Sequence, residues 1–310
     1  MHKPMDPGKT PRFSGIGTFM RLPHTTELAG VDFTVMGVPF DTGSTFRVGA
    51  RFGPSAIRRM SALLRTYNPA LGVEPFRYLS GTDYGDLPVV PGYIEESYRR
   101  IQEALAPVVQ AGVIPIMLGG DHSVSLPELR AVARNGPVAL VHFDSHPDAW
   151  DGYFGQPHFH GSPFLRAVEE GLLDPGASTQ VGIRGSVEGP EDLTGPVSLG
   201  FRLITAQETR SMGSQAVLEE IHRRAKGKRV FVSFDIDFVD PAYAPGTGTP
   251  EVGGFTSLEA LELVRGLDGL DFAAFDLVEV VPQYDSGDVT ALLAANIVYE
   301  FISLLAVIKS

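Results

Sequence analysis

Seven short, almost unbroken apolar runs recur along this 310-residue chain, separated by stretches of helical periodicity. They span residues 33–37, 113–118, 138–143, 179–183, 202–205, 229–234 and 272–278. A strand wetted on one face alternates apolar with polar residues. These runs mostly do not, as expected of strands covered on both faces of a parallel sheet. Helices are predicted over 54–64, 94–110, 126–133, 163–170, 214–225, 257–265 and 289–305. Pro54 and Pro163 suit first-turn positions. Ser257 reads as a helix N-cap, without the acid or amide three residues on that a capping box needs. The alternation predicts an α/β chain: a three-layer α/β/α architecture around a central, mostly parallel sheet of about eight strands. A closed (β/α)8 barrel is the other architecture the pattern allows. Residues 1–30 read as a partly extended N-terminal arm and 31–310 as a single α/β domain. In an open α/β sheet, ligands bind beyond the carboxyl ends of the strands.

Composition narrows the chemistry. Cysteine is absent, which removes disulfides, thiolate metal sites and a cysteine nucleophile. The net charge of −12 lacks the basic face that nucleic acid requires and favours metal ions or small cationic ligands. No apolar run of about 18 residues is evident, so no membrane span is expected. Residues 1–10 carry no apolar core of a secretory signal, and a cytoplasmic location is expected.

Three strand ends carry polar clusters: Gly119-Gly120-Asp121-His122-Ser123, Asp144-Ser145-His146-Pro147-Asp148 and Asp235-Ile236-Asp237. Asp144, His146 and Asp148 are spaced by two, so in extended chain they project to one side. Asp235 and Asp237 repeat the spacing. Desolvated carboxylates are costly unless paired or metal-bound, and no Lys or Arg lies within either cluster. One such cluster reads equally well as a solvated loop of N-capping aspartates; two, with His122 after a third strand, do not. Two imidazoles and four aspartates exceed the needs of one tetrahedral zinc. They suit two divalent ions about 3.5–4 Å apart. Oxygen-rich ligation favours Mn²⁺, with Ni²⁺ or Co²⁺ as alternatives. Four carboxylates against two divalent ions leave a site suited to a cationic substrate. No Gly-x-Ser-x-Gly elbow is present, and a water activated by the ions needs no protein nucleophile.

These clusters, together with Asp240-Pro241, the stretch from Ala244 to Gly254, Phe275–Val280 and Gly49–Pro54, resemble the signature of the ureohydrolase family, which contains arginases, agmatinases and guanidino-acid amidinohydrolases. The resemblance runs from about Gly37 to Leu304. It implies an α/β/α domain with two Mn²⁺ per chain, hydrolysis of a guanidino compound to urea and an amine, and a homo-oligomer, trimer or hexamer. His122, Asp144, Asp148 and Asp235 would hold one ion; Asp144, His146, Asp235 and Asp237 would hold the other. Ser145 departs from the commoner alanine. His160 matches the family's catalytic histidine, Glu279 the carboxylate that accepts the guanidinium, and Asp148 is also expected to orient the nucleophile. Thr249 is a candidate for holding the substrate or its loop.

Other residues have weaker claims. His142 shares parity with Asp144 and reads as a support for the ligands. His158 is a candidate for the cleft mouth. Trp150 and Tyr153 serve either as pocket walls or in packing. The segment after the second cluster resembles the agmatinase and guanidinobutyrase branch. The expected substrate is therefore 4-guanidinobutyrate, 3-guanidinopropionate or agmatine, with Arg47, Arg51 or Arg65 as candidates to meet a tail carboxylate. Hydrolysis of guanidine or metformin, a related C–N hydrolysis such as formiminoglutamate cleavage, a single-zinc deacetylase and a non-catalytic subunit are the alternatives.

Overall fold

A computed structural model describes all 310 residues. Eight strands form one sheet: β1 (Phe33–Gly37), β2 (Gly81–Asp86), β3 (Ile114–Leu118), β4 (Ala139–Phe143), β5 (Thr179–Ile183), β6 (Arg202–Thr205), β7 (Arg229–Asp235) and β8 (Asp271–Val278). Every neighbouring pair is parallel, in the order β2-β1-β3-β8-β7-β4-β5-β6. The terminal strands β2 and β6 do not pair with each other, so the sheet is open and the barrel is excluded.

Ten helices accompany it: α1 (Gly53–Ser61), α2 (Pro75–Tyr78), α3 (Ile94–Gln110), α4 (Ser125–Val132), α5 (Pro163–Glu169), α6 (Glu191–Leu199), α7 (Ala206–Met212), α8 (Ser214–Ala225), α9 (Ser257–Arg265) and α10 (Val289–Lys309). Strand parity splits the apolar residues between two cores. Ile116 and Leu118 of β3 and Val230, Val232 and Phe234 of β7 pack toward α8, α9 and α10. Met117 and Phe231 point the other way, toward α3, α4 and α5. Both faces being covered explains why most strands read as continuous apolar runs.

Several elements depart from the sequence expectation. The helix of 257–265 is capped by Thr256, not Ser257, and Thr256 and Glu259 form the full capping box that Ser257 lacked. The chain does hold one helix, α10, long and apolar enough to cross a membrane. Its most apolar window is 78% buried in the molecule, and Glu300 within it is bonded to Asn68 and Arg265, each at 2.7 Å. A helix apolar all round is what a central core position demands. Strand β2 went unpredicted because its sequence, Gly-Thr-Asp-Tyr-Gly-Asp, is polar and carries two glycines. Helices α2, α6 and α7 were also missed; α2 has four residues and α6 contains Gly195 and Pro196.

Strand β2 is held by side-chain chemistry rather than by apolar burial. Buried Asp83 takes two hydrogen bonds from Arg58, at 2.9 and 3.0 Å, and others from the Phe19 and Gly85 amides. Arg58 also pairs with Asp86. The N-terminal arm covers the exposed side of β2: Gly81 N donates to His2 O and Asp83 N to Pro23 O. An open edge is thereby closed. Replacing Arg58 by Met would strand a buried carboxylate and should cost about 3–5 kcal/mol. Denaturant unfolding measures this; a loss under about 1 kcal/mol would refute the ion pair's role.

Candidate metal centre

The four adjacent strands β3-β8-β7-β4 deliver the clustered carboxylates and imidazoles from their carboxyl ends. His122 follows β3, Glu279 follows β8, Asp235 ends β7 and Asp237 lies in the turn after it, and Asp144, His146 and Asp148 follow β4. The chain passes from β3 to β4 across β8 and β7, and the crevice left by that crossing is where an open α/β sheet binds ligands.

Local turns then aim the side chains. Asp144 Oδ1 accepts the His146 amide at 2.6 Å, Asp235 Oδ1 the Asp237 amide at 2.8 Å, and Asp121 Oδ1 the Ser123 amide at 3.0 Å. Each is an aspartate bonding the backbone two residues on. The convergence therefore comes from these turns, and not from the extended-strand parity expected from the sequence. Asp148 completes it from a left-handed backbone, φ 46°.

The resulting contacts form two adjoining cages. His122 Nδ1 lies 2.8 Å from Asp148 Oδ2, 3.1 Å from Asp144 Oδ2 and 3.3 Å from Asp235 Oδ2. His146 Nδ1 lies 3.1 Å from Asp237 Oδ2 and 3.5 Å from Asp144 Oδ1. Asp144 thus gives one oxygen to each cage.

Hydrogen-bond logic decides the tautomers. Ser233 Oγ donates to Asp276 Oδ1 at 2.6 Å, so it accepts from His122 Nε2 at 2.8 Å. Nδ1 of His122 then carries a lone pair, faces three carboxylate oxygens and has no hydrogen-bond partner. Asp237 Oδ2 is likewise buried without one. Lone pairs crowded onto one point require a cation there, so the donor set fits divalent metal ions. His142, beside these ligands, is different. Its Nδ1 accepts from Gln180 Nε2 at 3.1 Å, so its Nε2 donates to Asp144 Oδ2 at 2.8 Å. Both ring nitrogens of His142 are thus engaged, and the ring holds Asp144 in place.

Without metal, protons fill the role. Burial first, then the charges of Asp237 and Asp144, push the Asp235 carboxyl well above its ordinary range. Burial and Asp144 push Asp237 up as well. Burial opposes charge on His122 and His146, but the facing carboxylates outweigh it and raise both well above the ordinary imidazole value.

Beside the cages, Glu279 sits on a left-handed backbone, φ 62°. Its Oε1 accepts the His122 amide at 2.9 Å and contacts His160 Nδ1 at 3.1 Å. Its Oε2 is buried and unpartnered. A Cβ at Gly248 would stand 3.1 Å from that oxygen, so only glycine leaves it unobstructed. His160 Nε2 meets Thr45 Oγ1 at 2.7 Å, a partner the sequence did not signal. Burial disfavours charge on His160, yet the hydrogen bond to Glu279 and nearby carboxylates raise its pKa above the ordinary value.

A cleft of about 330 Å³ opens onto His146, Asp148, Asp235 and His160. Trp150 and Tyr153 wall it, with Phe154 and Phe159, and Thr249 lines it too. His158 does not; its ring packs at 5.4 Å from Tyr98. Neither do the three arginines considered for a tail carboxylate: Arg51 pairs with Asp41, Arg47 lies over Tyr284, and Arg65 lines a separate cavity. No lysine or arginine lines the cleft, whereas Glu188 and Asp192 do.

Comparison with known proteins gives three findings. Residues 31–303 match the arginase family. The chain is 47% identical to guanidinopropionase of Pseudomonas aeruginosa over 98% of this chain and 96% of that protein, and 43% identical to guanidinobutyrase of the same organism over 98% and 97%. The solved structure of proclavaminate amidino hydrolase from Streptomyces clavuligerus superposes with a TM-score of 0.92 at 40% identity, covering 96% of this chain and 99% of that one.

Two predictions follow from the cages. Ser233→Ala or Asp276→Asn frees the His122 ring and should weaken metal retention about 10–100-fold, read as the chelator concentration that strips the ions; parental retention would refute the tautomer assignment. Because the raised groups hold protons in the metal-free protein, binding must release them. Metal affinity measured by calorimetry should therefore rise with pH, and flat affinity between pH 6 and 8 (a range of about 2 units around the imidazole value) would contradict this.

Proposed function

The chain belongs to the arginase family, and from that premise we propose that it hydrolyses a small guanidino acid, 3-guanidinopropionate or 4-guanidinobutyrate, to urea and the corresponding amine. One observation carries the reading: Glu279, whose Oε1 contacts the His122 amide and the His160 ring, keeps its buried Oε2 free.

A guanidinium is planar, cationic and rich in N–H donors, and a carboxylate oxygen without a partner is its complement. Glu279 would hold the guanidino group beside His122 and His160, which removes the entropy of finding that geometry. Resonance makes this carbon a poor electrophile. Two divalent ions, when bound by the six ligands, supply a water of lowered pKa and stabilise charge on it. Hydrolysis adds water across the carbon–nitrogen bond to the tail: the oxygen goes to the guanidino carbon, which leaves as urea, and the protons go to the tail nitrogen, which leaves as the protonated amine. His160, its ring held between Glu279 and Thr45, is placed to hand a proton to the departing amine nitrogen. We propose manganese as the resident metal, two ions per chain, on the oxygen-rich donor set. Homo-oligomeric assembly, as a trimer or hexamer, is likewise a proposal.

The guanidino-acid reading is supported by the similarity to guanidinopropionase and guanidinobutyrase. With no cation lining the cleft, the tail carboxylate would meet neutral donors there, the hydroxyls of Ser186 and Tyr153. A second reading, agmatine, has its own observation: Glu188 and Asp192 line the same cleft and suit an ammonium tail.

Urea release from protein loaded with Mn²⁺ or Ni²⁺ tests both, over 3-guanidinopropionate, 4-guanidinobutyrate, agmatine, arginine, guanidine and metformin. A guanidino acid should lead by about tenfold or more in kcat/KM, a discrimination of about 1.4 kcal/mol; a lead for agmatine selects the second reading. Silence across the panel with two ions bound would sink the proposal. His160→Ala should lower kcat about 10²–10⁴-fold while leaving the bound metal count unchanged.

A further inference from the structure

A second cavity lies remote from the cages, between the N-terminal arm and the segment that follows α1. Its volume is about 340 Å³. Arg12 and Arg21 of the arm and Arg65 of the facing segment line it, with Thr66 and Tyr67 beside them, and no acidic side chain does. In a chain of net charge −12, a cavity whose only charged side chains are three arginines is not what average composition supplies.

Arg21 is the decisive residue. It is 7% exposed, yet only neutral acceptors satisfy it. Its Nη1 donates to Thr10 O at 3.0 Å and its Nη2 meets the Met5 thioether at 2.6 Å. Its Nε is buried with no partner. A desolvated guanidinium without a counter-charge is costly.

The backbone spends conformational strain to put it there. Met20 and Arg21 both take left-handed conformations, φ 49° and 59°. The turn is pinned by Phe19 N on Asp83, Met20 N on Ser61 Oγ and Thr18 Oγ1 on Leu22 O. Strain retained by surrounding bonds is found where a side chain must be aimed.

We propose that this cavity binds a small oxyanion, of the phosphate or carboxylate class, held by Arg21 in the interior and by Arg12 and Arg65 nearer its mouth. Guanidinium groups meet such oxygens in pairs and stay charged at any working pH. The site owes nothing to the metal centre, so its test is independent of the proposed reaction.

The experiment is titration of the metal-loaded protein with inorganic phosphate, followed by calorimetry and thermal melting, with sodium chloride at equal ionic strength as the control. Saturable heat and a rise in Tm with phosphate alone are expected. Arg12→Ala/Arg65→Ala, which leaves buried Arg21 and its packing in place, should bind phosphate at least tenfold more weakly with an unchanged Tm in chloride. Repeating the titration with acetate distinguishes a phosphate preference from a general carboxylate site. Absence of saturable binding to either anion, or undiminished affinity in the double variant, would overturn the proposal. So would a fall in assembly mass caused by the double variant, because the arginines would then be receiving an acidic side chain of a second copy.

Discussion

Everything at the working end of this molecule depends on one electrostatic fact. Four carboxylates and two imidazole rings crowd around two adjoining spaces, and the Nδ1 lone pair of His122 faces the first of them. Ser233 fixes the proton of His122 on the far nitrogen, which leaves Nδ1 facing three carboxylate oxygens at 2.8–3.3 Å. Only a cation, or protons held at raised pKa, makes that arrangement stable. The surrounding structure is the apparatus that prevents the repelling groups from moving apart.

That apparatus is a rigid sheet with unusual loops at its rim. The central strands are buried on both faces, so their ends cannot shift without opening a packed core. The loops achieve their approach by removing bulk. A Cβ at Gly120 would fall 1.6 Å from Phe40 O, so the backbone after β3 passes against the backbone after β1 only because that residue is glycine. Asp148 and Glu279 occupy left-handed backbone without being glycine. Their side chains are indispensable to the site, and the packing around them offsets the strain.

Two readings of the strand-end aspartates, as turn-forming residues and as members of the clustered cages, are compatible. In Asp144 and Asp235 one oxygen bonds the amide two residues on, and the other faces His122. Spacing in the sequence announced both roles but not their division between the two oxygens of one carboxylate. His142 illustrates a different gap. Its parity with Asp144 suggested support for the ligands, yet only the Gln180 contact from β5 settles which ring nitrogen donates. Thr45 and Asp276 were not legible at all, being a hydroxyl in a loop and an acid inside an apolar strand. Their partners, His160 and Ser233, lie 115 and 43 residues away.

The sequence by itself determined the α/β class with a parallel sheet, seven of the eight strands, and the six clustered carboxylate and imidazole residues, because burial on both faces and clustered carboxylates leave marks within a few consecutive residues. It was silent on β2, whose stability comes from Arg58 and from the covering arm, and it overstated the arginines as tail contacts. Tertiary structure alone decided the strand order that brings β3, β8, β7 and β4 side by side, the tautomers, the free oxygen of Glu279 and the arginine-lined cavity under the arm. Each of these is a relation between residues far apart in the chain, and such relations exist only once the backbone has been folded to put them within a few ångströms.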